Sequence, residues 1–316
     1  MTTSMTTSMT TSMTTSMTTS SVVTCYDLHS HTTASDGVLT PSQLVERAVS
    51  HRVDVLAITD HDTTAGLTEA AGTILRYALP LRLVNGVEIS TLWEQHEIHV
   101  VGLNISMAHA GLCELLSEQS QRRRRRAQEI GASLAKAGIS DAWQGANRLA
   151  VGGQVTRGHF SRYLIEAGFA RNSAQVFKKY LSKGKIGYVP AQWCPIQQAI
   201  SAILQAGGQA VLAHPGRYNL SAKWLKNLLS CFAQQGGSAI EVAQCCQPPG
   251  EREQLGQLAR HYNLLASVGS DFHQPGGRSE LGYQLCLPAG VAAVWHDWSD
   301  NQNSLPDERR ISEIKQ

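Results

Sequence analysis

Nine histidine and acidic side chains are spaced along the chain in a way that could bind metal ions. The set comprises His29, His31, Asp36, His61, Glu88, His99, His214, Asp271 and His273. His29 and His31 are separated by one residue, as are Asp271 and His273, and alternate residues of an extended segment project to the same side. Imidazole and carboxylate ligands together favour manganese, iron or zinc. Because a mononuclear site needs only three or four ligands, the set predicts two or three metal ions.

Most of these residues lie at, or just beyond, the carboxyl ends of predicted β-strands. The predicted strands cover residues 24–28, 53–59, 81–89, 97–103, 209–213, 238–242 and 264–268. Glu88 is among the residues expected at a strand end, whereas Asp36 follows in the first loop and His99 lies within its strand. In α/β barrels the carboxyl ends of the strands carry the catalytic loops. Strands that are distant in sequence would therefore bring these side chains to one mouth.

Strands alternate with helical patterns in both halves of the chain, which favours a largely parallel sheet or barrel. Thr40 followed by Pro41 predicts an N-cap with proline at the first helical position. The middle of the chain shows helical patterns without a clear strand. We expect a barrel formed by residues 22–105 and 190–295. Residues 106–189 are expected to form a helical insertion for substrate recognition, and residues 296–316 a C-terminal tail.

The first 20 residues are five copies of Met-Thr-Thr-Ser. They carry no charge and no apolar run of the length that a signal peptide or a membrane span needs. Such a segment cannot build a hydrophobic core. We therefore interpret residues 1–21 as a disordered tail that takes no part in the fold.

Composition restricts the class of protein. Charged residues make up 16% of the 316 residues and the formal net charge is +2, so no global attraction to nucleic acid is expected and any such attraction must be local. The seven cysteines are an odd number without a C-x-x-C pair, which indicates reduced thiols rather than a disulfide framework. The longest apolar runs are too short for a membrane span. A protein without membrane attachment, in the reducing cytoplasm, is the expectation.

Six ordered segments resemble the motifs of the polymerase and histidinol phosphatase (PHP) superfamily. They are residues 27–31, 58–62, 86–89, 97–102, 213–215 and 269–273. The helical insertion and the segments 156–160, 177–180 and 213–217 are similar to one subgroup. That subgroup comprises 3′,5′-nucleotide bisphosphate phosphatases and bacterial 5′-to-3′ exoribonucleases. The resemblance extends from Tyr26 to about Pro288.

The resemblance implies a distorted seven-stranded (β/α) barrel that holds three manganese ions, with zinc or iron as alternatives. Carried over by position, all nine residues named above are metal ligands and form the catalytic set. Glu88 and Asp271 are candidates to bridge two cations, which a carboxylate can do. The implied reaction is hydrolysis of the 3′ phosphate ester of a 5′-phosphorylated nucleotide, without a covalent enzyme intermediate. The implied substrates are 3′,5′-bisphosphonucleotides such as pAp and the 5′-monophosphorylated ends of short or ribosomal RNA, with no obligatory protein partner.

Five consecutive arginines, at positions 122–126, lie within a predicted helix of the insertion. A helix turns once every 3.6 residues, so they cannot all face one ligand. Arg122 and Arg126 are four residues apart and share a face, and Arg123 and Arg125 are further candidates. The arginine side chain matches a phosphate bidentately, so we expect these four residues to hold the phosphate that is not cleaved. A solvated helix face is the alternative.

Arg157 and His159 are further candidates for substrate binding, because Gly158 between them lets the backbone approach a ligand closely. An ordinary helix-start turn is the alternative interpretation. Lys183, Lys185 and Arg217 are weaker basic candidates.

Three acids beside the nine residues are interpreted as supporting groups rather than ligands. Asp60 and Asp62 flank His61, and neighbouring residues of a strand point to opposite sides. We expect them, and Asp27, to orient metal ligands. Two other functions stay open: a phosphatase similar to histidinol phosphatase, and a PHP module that binds metal without catalysis. The first gives the arginines no evident role, and a complete set of nine ligands argues against the second.

Overall fold

Short, buried strands form a sheet that winds into a nearly closed barrel in the computed structural model, which describes residues 24–298. The strands are β1 (Tyr26–Asp27), β2 (Val55–Ile58), β3 (Arg82–Trp93), β4 (His96–Leu103), β5 (Cys194–Pro195), β6 (Gln209–Leu212), β7 (Ala239–Gln244) and β8 (Leu265–Gly269). Seven of them follow one path, β1-β2-β3-β4-β6-β7-β8, and β5 pairs only with β3. Backbone hydrogen bonds close the path, because Leu28 donates to Val268 at 3.1 Å and Asp271 donates to His29 at 2.9 Å. The predicted distorted seven-stranded barrel is confirmed.

One strand departs from the parallel arrangement. β4 runs antiparallel to both of its neighbours, β3 and β6, whereas the other strand pairs are parallel. Its reversal follows from a hairpin whose turn residues, Glu94 and Gln95, have φ of 44° and 67°. Paired positive φ values are typical of the tight turns that suit the twist of two antiparallel strands. β3 consequently continues to Trp93, four residues beyond its predicted end at 89.

Five amphipathic helices cover the outside of the barrel. They are α1 (Pro41–Ser50), α2 (Gly66–Tyr77), α7 (Ile196–Gln205), α8 (Ala222–Gln234) and α9 (Glu251–His261). The predicted N-cap of α1 is confirmed: the Thr40 hydroxyl accepts from the Gln43 backbone N–H, and the Gln43 side chain accepts from the Thr40 N–H. Leu44 of α1 packs with Leu56 and Ile58 of β2 in one apolar cluster. Burial of these apolar faces holds the helices against the sheet.

Four helices between β4 and β5 form a second core. They are α3 (Ala110–Lys136), α4 (Ala142–Leu149), α5 (Arg157–Glu166) and α6 (Ser173–Val176), and a π-helical turn (Phe177–Leu181) follows directly. Leu134, Phe160 and Leu164 are fully buried in this core. The first turns of α3 belong elsewhere, because Leu112 and Leu115 pack in the barrel core. α3 therefore links the two cores as one continuous helix, and the insertion boundary at residue 106 stays a prediction.

The ends of the chain are described only in part. The predicted N-terminal tail, residues 1–21, lies outside the described residues, as do residues 299–316 of the predicted C-terminal tail. Trp298 is held on the barrel, since its Nε1 donates to Gln209 Oε1 at 2.7 Å. All seven cysteines lie in the described region and are free thiols. Among residues 24–298, none of the helices combines the length and hydrophobicity that a bilayer span requires.

Candidate metal centre

The nine residues singled out from the sequence converge at one end of the barrel. His29 and His31 follow β1, His61 follows β2, His214 follows β6, and Asp271 and His273 follow β8. The expectation of strand-end positions is wrong for Glu88, which lies in the middle of β3. The hairpin with β4 extends β3 past the rim, and Glu88 forms an isolated parallel bridge with His61 of the neighbouring loop.

Glu88 lies at the centre of the cluster and is fully buried. Its Oε1 is 2.8 Å from His99 Nδ1 and 2.9 Å from His214 Nε2. Its Oε2 is 2.9 Å from His61 Nδ1, 3.3 Å from His31 Nε2 and 3.4 Å from His29 Nε2. One carboxylate thus contacts imidazoles from four different segments of the barrel mouth.

Two aspartates, Asp36 and Asp271, complete the cluster. Asp271 Oδ1 is 3.1 Å from His31 Nε2 and 3.6 Å from His273 Nδ1. Asp36 Oδ1 is 3.2 Å from His273 Nε2 and 3.8 Å from His61 Nε2. Each of the three acids therefore contacts at least two imidazoles of the centre.

The donor atoms fit metal ions better than they fit one another. Asp36 Oδ1, His61 Nδ1, Glu88 Oε2 and His214 Nδ1 are buried and have no hydrogen-bond partner within the described part of the chain. His61 Nδ1 is close to Glu88 Oε2, yet its orientation does not suit a hydrogen bond. Buried polar atoms without partners are costly, and a cation would satisfy them.

Potential ligand atoms within 4.8 Å of one another form three groups. The groups are His31, Asp36, His61 and His273; His29, His31 and Glu88; and His61, Glu88 and His99. Each pair of groups shares one residue, namely His31, His61 or Glu88. His214 and Asp271 lie outside the groups but contact Glu88 and His31 respectively. The arrangement is compatible with a multinuclear metal site.

Burial and charge act in opposite directions on the pKa values of these groups. Burial lowers the pKa of His31 to about 3, and the neighbouring His273 adds to this effect. Burial would raise the pKa of Glu88, but His61, His99 and His29 outweigh it and hold the pKa well below its usual range. The cluster therefore favours an ionised Glu88 and a neutral His31, which are the forms that bind cations.

Glu241 is a member of the site that the sequence analysis missed. Its Oε1 is 2.5 Å from His29 Nδ1, and its Oε2 accepts from the His214 backbone N–H at 2.6 Å. Glu241 lies in β7 and is almost fully buried. A carboxylate that holds the second nitrogen of a ligating imidazole fixes its orientation and raises its basicity. The signal was available, because an acid inside an otherwise apolar strand needs a partner.

The three acids interpreted as supporting groups are engaged by protein donors. Asp60 accepts from the Thr32 backbone N–H at 2.8 Å and from the Ser35 hydroxyl at 2.5 Å, and Ser35 Oγ is 3.4 Å from His31 Nδ1. Asp27 accepts from the Ser270 backbone N–H at 2.9 Å and so holds the loop that carries Asp271. These contacts fit the expected orienting role for both residues.

Asp62 faces the insertion instead of the ring of His61. Its carboxylate accepts from the Ser90 backbone N–H at 2.9 Å and from Arg123 at 2.5 Å. Arg123 also donates to the Ser90 hydroxyl at 2.6 Å. The buried Asp62–Arg123 pair thus joins the barrel mouth to α3.

Backbone geometry near the centre depends on two unusual features. His214 and Asp271 have φ of 30° and 52°, in the left-handed region that non-glycine residues seldom occupy. Gly269, the last residue of β8, has no room for a side chain, because an added Cβ would lie 2.3 Å from the Cβ of His29. Backbone strain of this kind is concentrated at functional sites.

An arginine-rich cleft, here called the inner cleft, opens beside the metal centre and has a volume of about 260 Å³. Its walls include Asp36, His61 and His99 of the centre and Arg123, Arg126, Arg157, Phe177 and Trp193. Arg126 donates to both oxygens of Glu97 at 3.0 Å. Burial would raise the pKa of Glu97, but Arg157 and Arg126 lower it to about 2. The inner cleft thus combines guanidinium groups with aromatic surface.

The phase of α3 differs from the sequence expectation. Arg123 and Arg126, three residues apart, face the inner cleft, whereas Arg122 donates to Glu118 and Arg125 is exposed. The expected pairing of Arg122 with Arg126 on one face toward the site is therefore wrong. The reason is the buried stripe of α3, which places Arg123 and Arg126 inward together with Leu112, Leu115, Gln119, Ile130 and Leu134.

His159 also has a different place from the one expected. It is buried, and its Nδ1 accepts from the Thr156 backbone N–H at 3.0 Å in the capping box of α5. Burial lowers the pKa of His159 to about 4. His159 does not line the inner cleft, whereas Arg157 does. The helix-start alternative therefore describes His159, and only Arg157 of this pair faces the cleft.

Comparisons with known proteins agree with this geometry. The family model described as "PHP domain" matches residues 27–243. A 5′-3′ exoribonuclease Rnm of Escherichia coli (strain K12) is 61% identical over 283 residues, which cover 90% of this chain and 97% of that protein. A 3′,5′-nucleoside bisphosphate phosphatase of Chromobacterium violaceum is 40% identical over 273 residues, covering 86% of this chain and 95% of that protein.

A solved structure supports the same assignment. It is described as an amidohydrolase from Chromobacterium violaceum with bound sulfate and no metal. It is 39% identical, has a TM-score of 0.81, and the match covers 85% of this chain and 94% of that chain. The family model covers more than half of the chain, and the relatives match over nearly their whole length. The chain belongs to the PHP domain family.

Proposed function

We propose that this chain is a metal-dependent phosphoesterase that hydrolyses the 3′ phosphate ester of 5′-phosphorylated nucleotides. It would act as a 5′-to-3′ exoribonuclease on short RNA and ribosomal RNA 5′ ends, and as a phosphatase on 3′,5′-bisphosphonucleotides such as pAp. The observation that carries the proposal is the position of the inner cleft, whose arginines open directly onto the metal centre. The relatives named above support it, since one is an exoribonuclease and another a bisphosphate phosphatase.

We further propose that the centre binds three manganese ions, with zinc or iron as substitutes. Three overlapping ligand groups support the number. The mixed imidazole and carboxylate donors support the choice of manganese, iron or zinc. All nine residues, His29, His31, Asp36, His61, Glu88, His99, His214, Asp271 and His273, are assigned as ligands and as the catalytic set. Glu88, with both oxygens in contact with imidazoles, is the bridging candidate that the geometry favours most.

Bound divalent cations would lower the pKa of a water molecule and offset charge on the phosphoryl oxygens. The protein's own groups supply orientation. Glu241 fixes His29 through Nδ1 and holds the loop of His214 through its backbone N–H. Arg217 donates to Asp271 Oδ2 at the edge of the centre, where its guanidinium can bind a phosphoryl oxygen. This position makes Arg217 a stronger candidate for substrate binding than the sequence indicated.

The inner cleft is assigned to the 5′-nucleotide. Arginine forks bind phosphate oxygens bidentately, and aromatic faces stack on bases. Of the three arginines that line the cleft, Arg123, Arg126 and Arg157, the last is the most available to bind a phosphate. Its Nη2 is 3.6 Å from Glu97, whereas Arg126 is bidentate with the same carboxylate. Phe177 and Trp193 provide the apolar walls. A 5′-phosphate held here places the 3′ ester of the same nucleotide near the metal centre.

A comparison of three substrates tests the proposal. Purified protein loaded with manganese is given pAp, a 5′-phosphorylated RNA oligomer, or histidinol phosphate, and released phosphate and nucleotides are measured. We expect turnover of the first two and little of the third, because histidinol phosphate has no second phosphate for the arginines. Preference for histidinol phosphate would replace the proposal with the alternative phosphatase. Stoichiometric metal without any turnover would favour a non-catalytic module. Parallel loading with zinc or iron identifies the active metal.

A cytoplasmic location is part of the proposal. It is supported by the free state of all seven cysteines, which suits a reducing compartment, and by the bacterial RNA substrates that the proposed activity requires.

A further inference from the structure

A second basic cleft, here called the outer cleft, borders the metal centre at Asp36, Asp271 and His273, and its lining does not include His61 or His99. It has a volume of about 780 Å³ and is larger than the inner cleft. Both clefts share Asp36, Gly158, Phe177 and His273, so they adjoin at the edge of the metal centre. The arginines of the outer cleft are Arg162, Arg217 and Arg278. None of the roles assigned above accounts for Arg162 or Arg278.

Arg162 is poised for an anion. It projects from α5, and its Nη2 is buried without a hydrogen-bond partner among residues 24–298. Burial lowers the pKa of Arg162, although Asp36 and Glu166 act in the opposite direction. A buried guanidinium nitrogen without an acceptor is costly, and a phosphate oxygen would satisfy it. Arg278, from the loop after β8, is exposed and lines the same cleft.

The two clefts differ in how they meet solvent. In the inner cleft Arg123, Arg126 and Trp193 are each less than 9% exposed, so this part of its wall is buried. The outer cleft is bounded in part by exposed residues, including Gln274 and Arg278. An enzyme that removes nucleotides from a 5′ end needs a pocket that holds the terminal nucleotide. It also needs an open path for the chain that continues on the 3′ side of the scissile bond.

We propose that the outer cleft binds the phosphodiester backbone of RNA on the 3′ side of the scissile bond, through Arg162 and Arg278. The inference rests on the proposed function and deepens it by assigning the second half of the RNA substrate. A 3′,5′-bisphosphonucleotide ends at the phosphate on the metal centre, whereas RNA continues beyond that phosphate into the outer cleft. The outer cleft therefore selects between two substrates that undergo the same bond cleavage at the same centre.

The test is whether substitutions in the outer cleft reduce turnover of RNA more than turnover of pAp. Arg162→Ala and Arg278→Glu are compared with wild type for kcat/KM on a 5′-phosphorylated RNA decamer and on pAp, at low and moderate salt. Arg278 is exposed, so its charge reversal leaves the fold intact even if Arg162→Ala destabilises the insertion. Arg148→Ala is the matched control, because among residues 24–298 Arg148 forms an ion pair with Glu166 alone and its side chain is 65% exposed. Melting temperatures of all four proteins are recorded.

We expect each outer-cleft variant to lose about tenfold in kcat/KM on the decamer relative to its change on pAp, mainly through KM. The salt dependence of the decamer reaction should also weaken, because fewer counterions are displaced from the RNA. Arg148→Ala should leave the ratio of the two activities at the wild-type value. Equal losses on both substrates, or no loss on either with Arg278→Glu, would overturn the inference. A wild-type protein that hydrolyses neither substrate would instead overturn the proposed function itself.

Discussion

The metal centre and the inner cleft adjoin each other, and their charged groups are held in different ways. In the centre, Glu88, Asp36 and His61 each keep a buried atom without a hydrogen-bond partner in the described region. In the inner cleft, Arg123 and Arg126 are already paired with Asp62 and Glu97. The centre therefore offers atoms that a cation would satisfy, whereas the arginines are positioned by acids of the barrel. Substitutions in the centre should therefore cause the largest losses of metal binding and turnover, and those in the inner cleft should mainly reduce kcat/KM for the substrate.

The largest effect is expected for Glu88→Gln. The amide keeps the shape of the carboxylate but removes the charge that five imidazoles contact. Metal content and turnover should both collapse, by more than the roughly 10- to 100-fold loss that is typical of a supporting residue. Metal analysis of the purified variant together with its kcat on pAp provides the check. A fully metallated, active Glu88→Gln protein would remove Glu88 from the centre.

A smaller loss of metal affinity and turnover is expected for Glu241→Gln. Glu241 contacts the centre through the His29 side chain and the His214 backbone N–H. The amide cannot accept from His29 as strongly, so metal affinity should fall about 10- to 100-fold. Because the ligands themselves remain, added metal should restore most of the turnover. A metal titration of kcat distinguishes the two acids. If saturating metal fails to rescue Glu241→Gln, the residue acts directly in the reaction rather than by positioning His29.

The inner cleft provides a matched pair of arginines on one helix. Arg126→Ala removes a guanidinium from the cleft, and we expect kcat/KM on pAp to fall by about tenfold. Arg125→Ala removes the same charge from the exposed side of α3, and its effect should stay within about twofold. Steady-state kinetics with both substrates measures the difference. Equal effects of the two substitutions would show that general charge, and not the cleft, attracts the substrate.

The smallest effect is expected for an ion pair that lies outside the metal centre and the inner cleft. Arg47 donates to Glu280 at 2.5 Å, and the side chains are each 27% exposed. Burial would raise the pKa of Glu280, but the hydrogen bond from Arg47 lowers it below its ordinary value of 4.5. The pair therefore adds stability above about pH 4.5, and this contribution is lost as the pH falls through the lowered folded-state pKa.

Glu280→Gln should consequently reduce the free energy of unfolding at pH 7 by no more than about 1 kcal/mol. The difference from wild type should shrink as the pH approaches 3. Denaturant unfolding at both pH values is the measurement. A difference that grows at low pH would contradict the sign of the pKa change.

The centre could be predicted from the sequence more completely than its surroundings. Strand ends are visible as apolar runs followed by His29 or Asp271, so the topology of a barrel is enough to gather them. The position of Glu88 inside β3 was missed because the hairpin turn at Glu94 and Gln95 contains no glycine. Glu241 was overlooked although an acid in the apolar strand 238–242 was a visible signal.

The inner cleft depends on helix phase, which a run of identical residues conceals. The buried positions Leu112, Leu115 and Gln119 of α3, continued at intervals of three or four residues, lead to Arg123 and Arg126. That continuation was visible in the sequence. The pairing of Arg123 with Asp62 and of Arg126 with Glu97 was not, because both acids belong to the barrel and are distant in sequence from α3. The capping role of His159 likewise required the structure of the α5 start.

The most direct test of the account compares two RNA decamers that differ only at the 5′ end, one with a 5′-phosphate and one with a 5′-hydroxyl. Products formed by the manganese-loaded protein are resolved over time. The account predicts stepwise release of nucleoside 5′-monophosphates from the phosphorylated decamer and turnover of the hydroxyl decamer that is at least about tenfold slower. Equal rates on both decamers, or internal fragments as first products, would contradict a metal centre that works beside a cleft binding the 5′-phosphate.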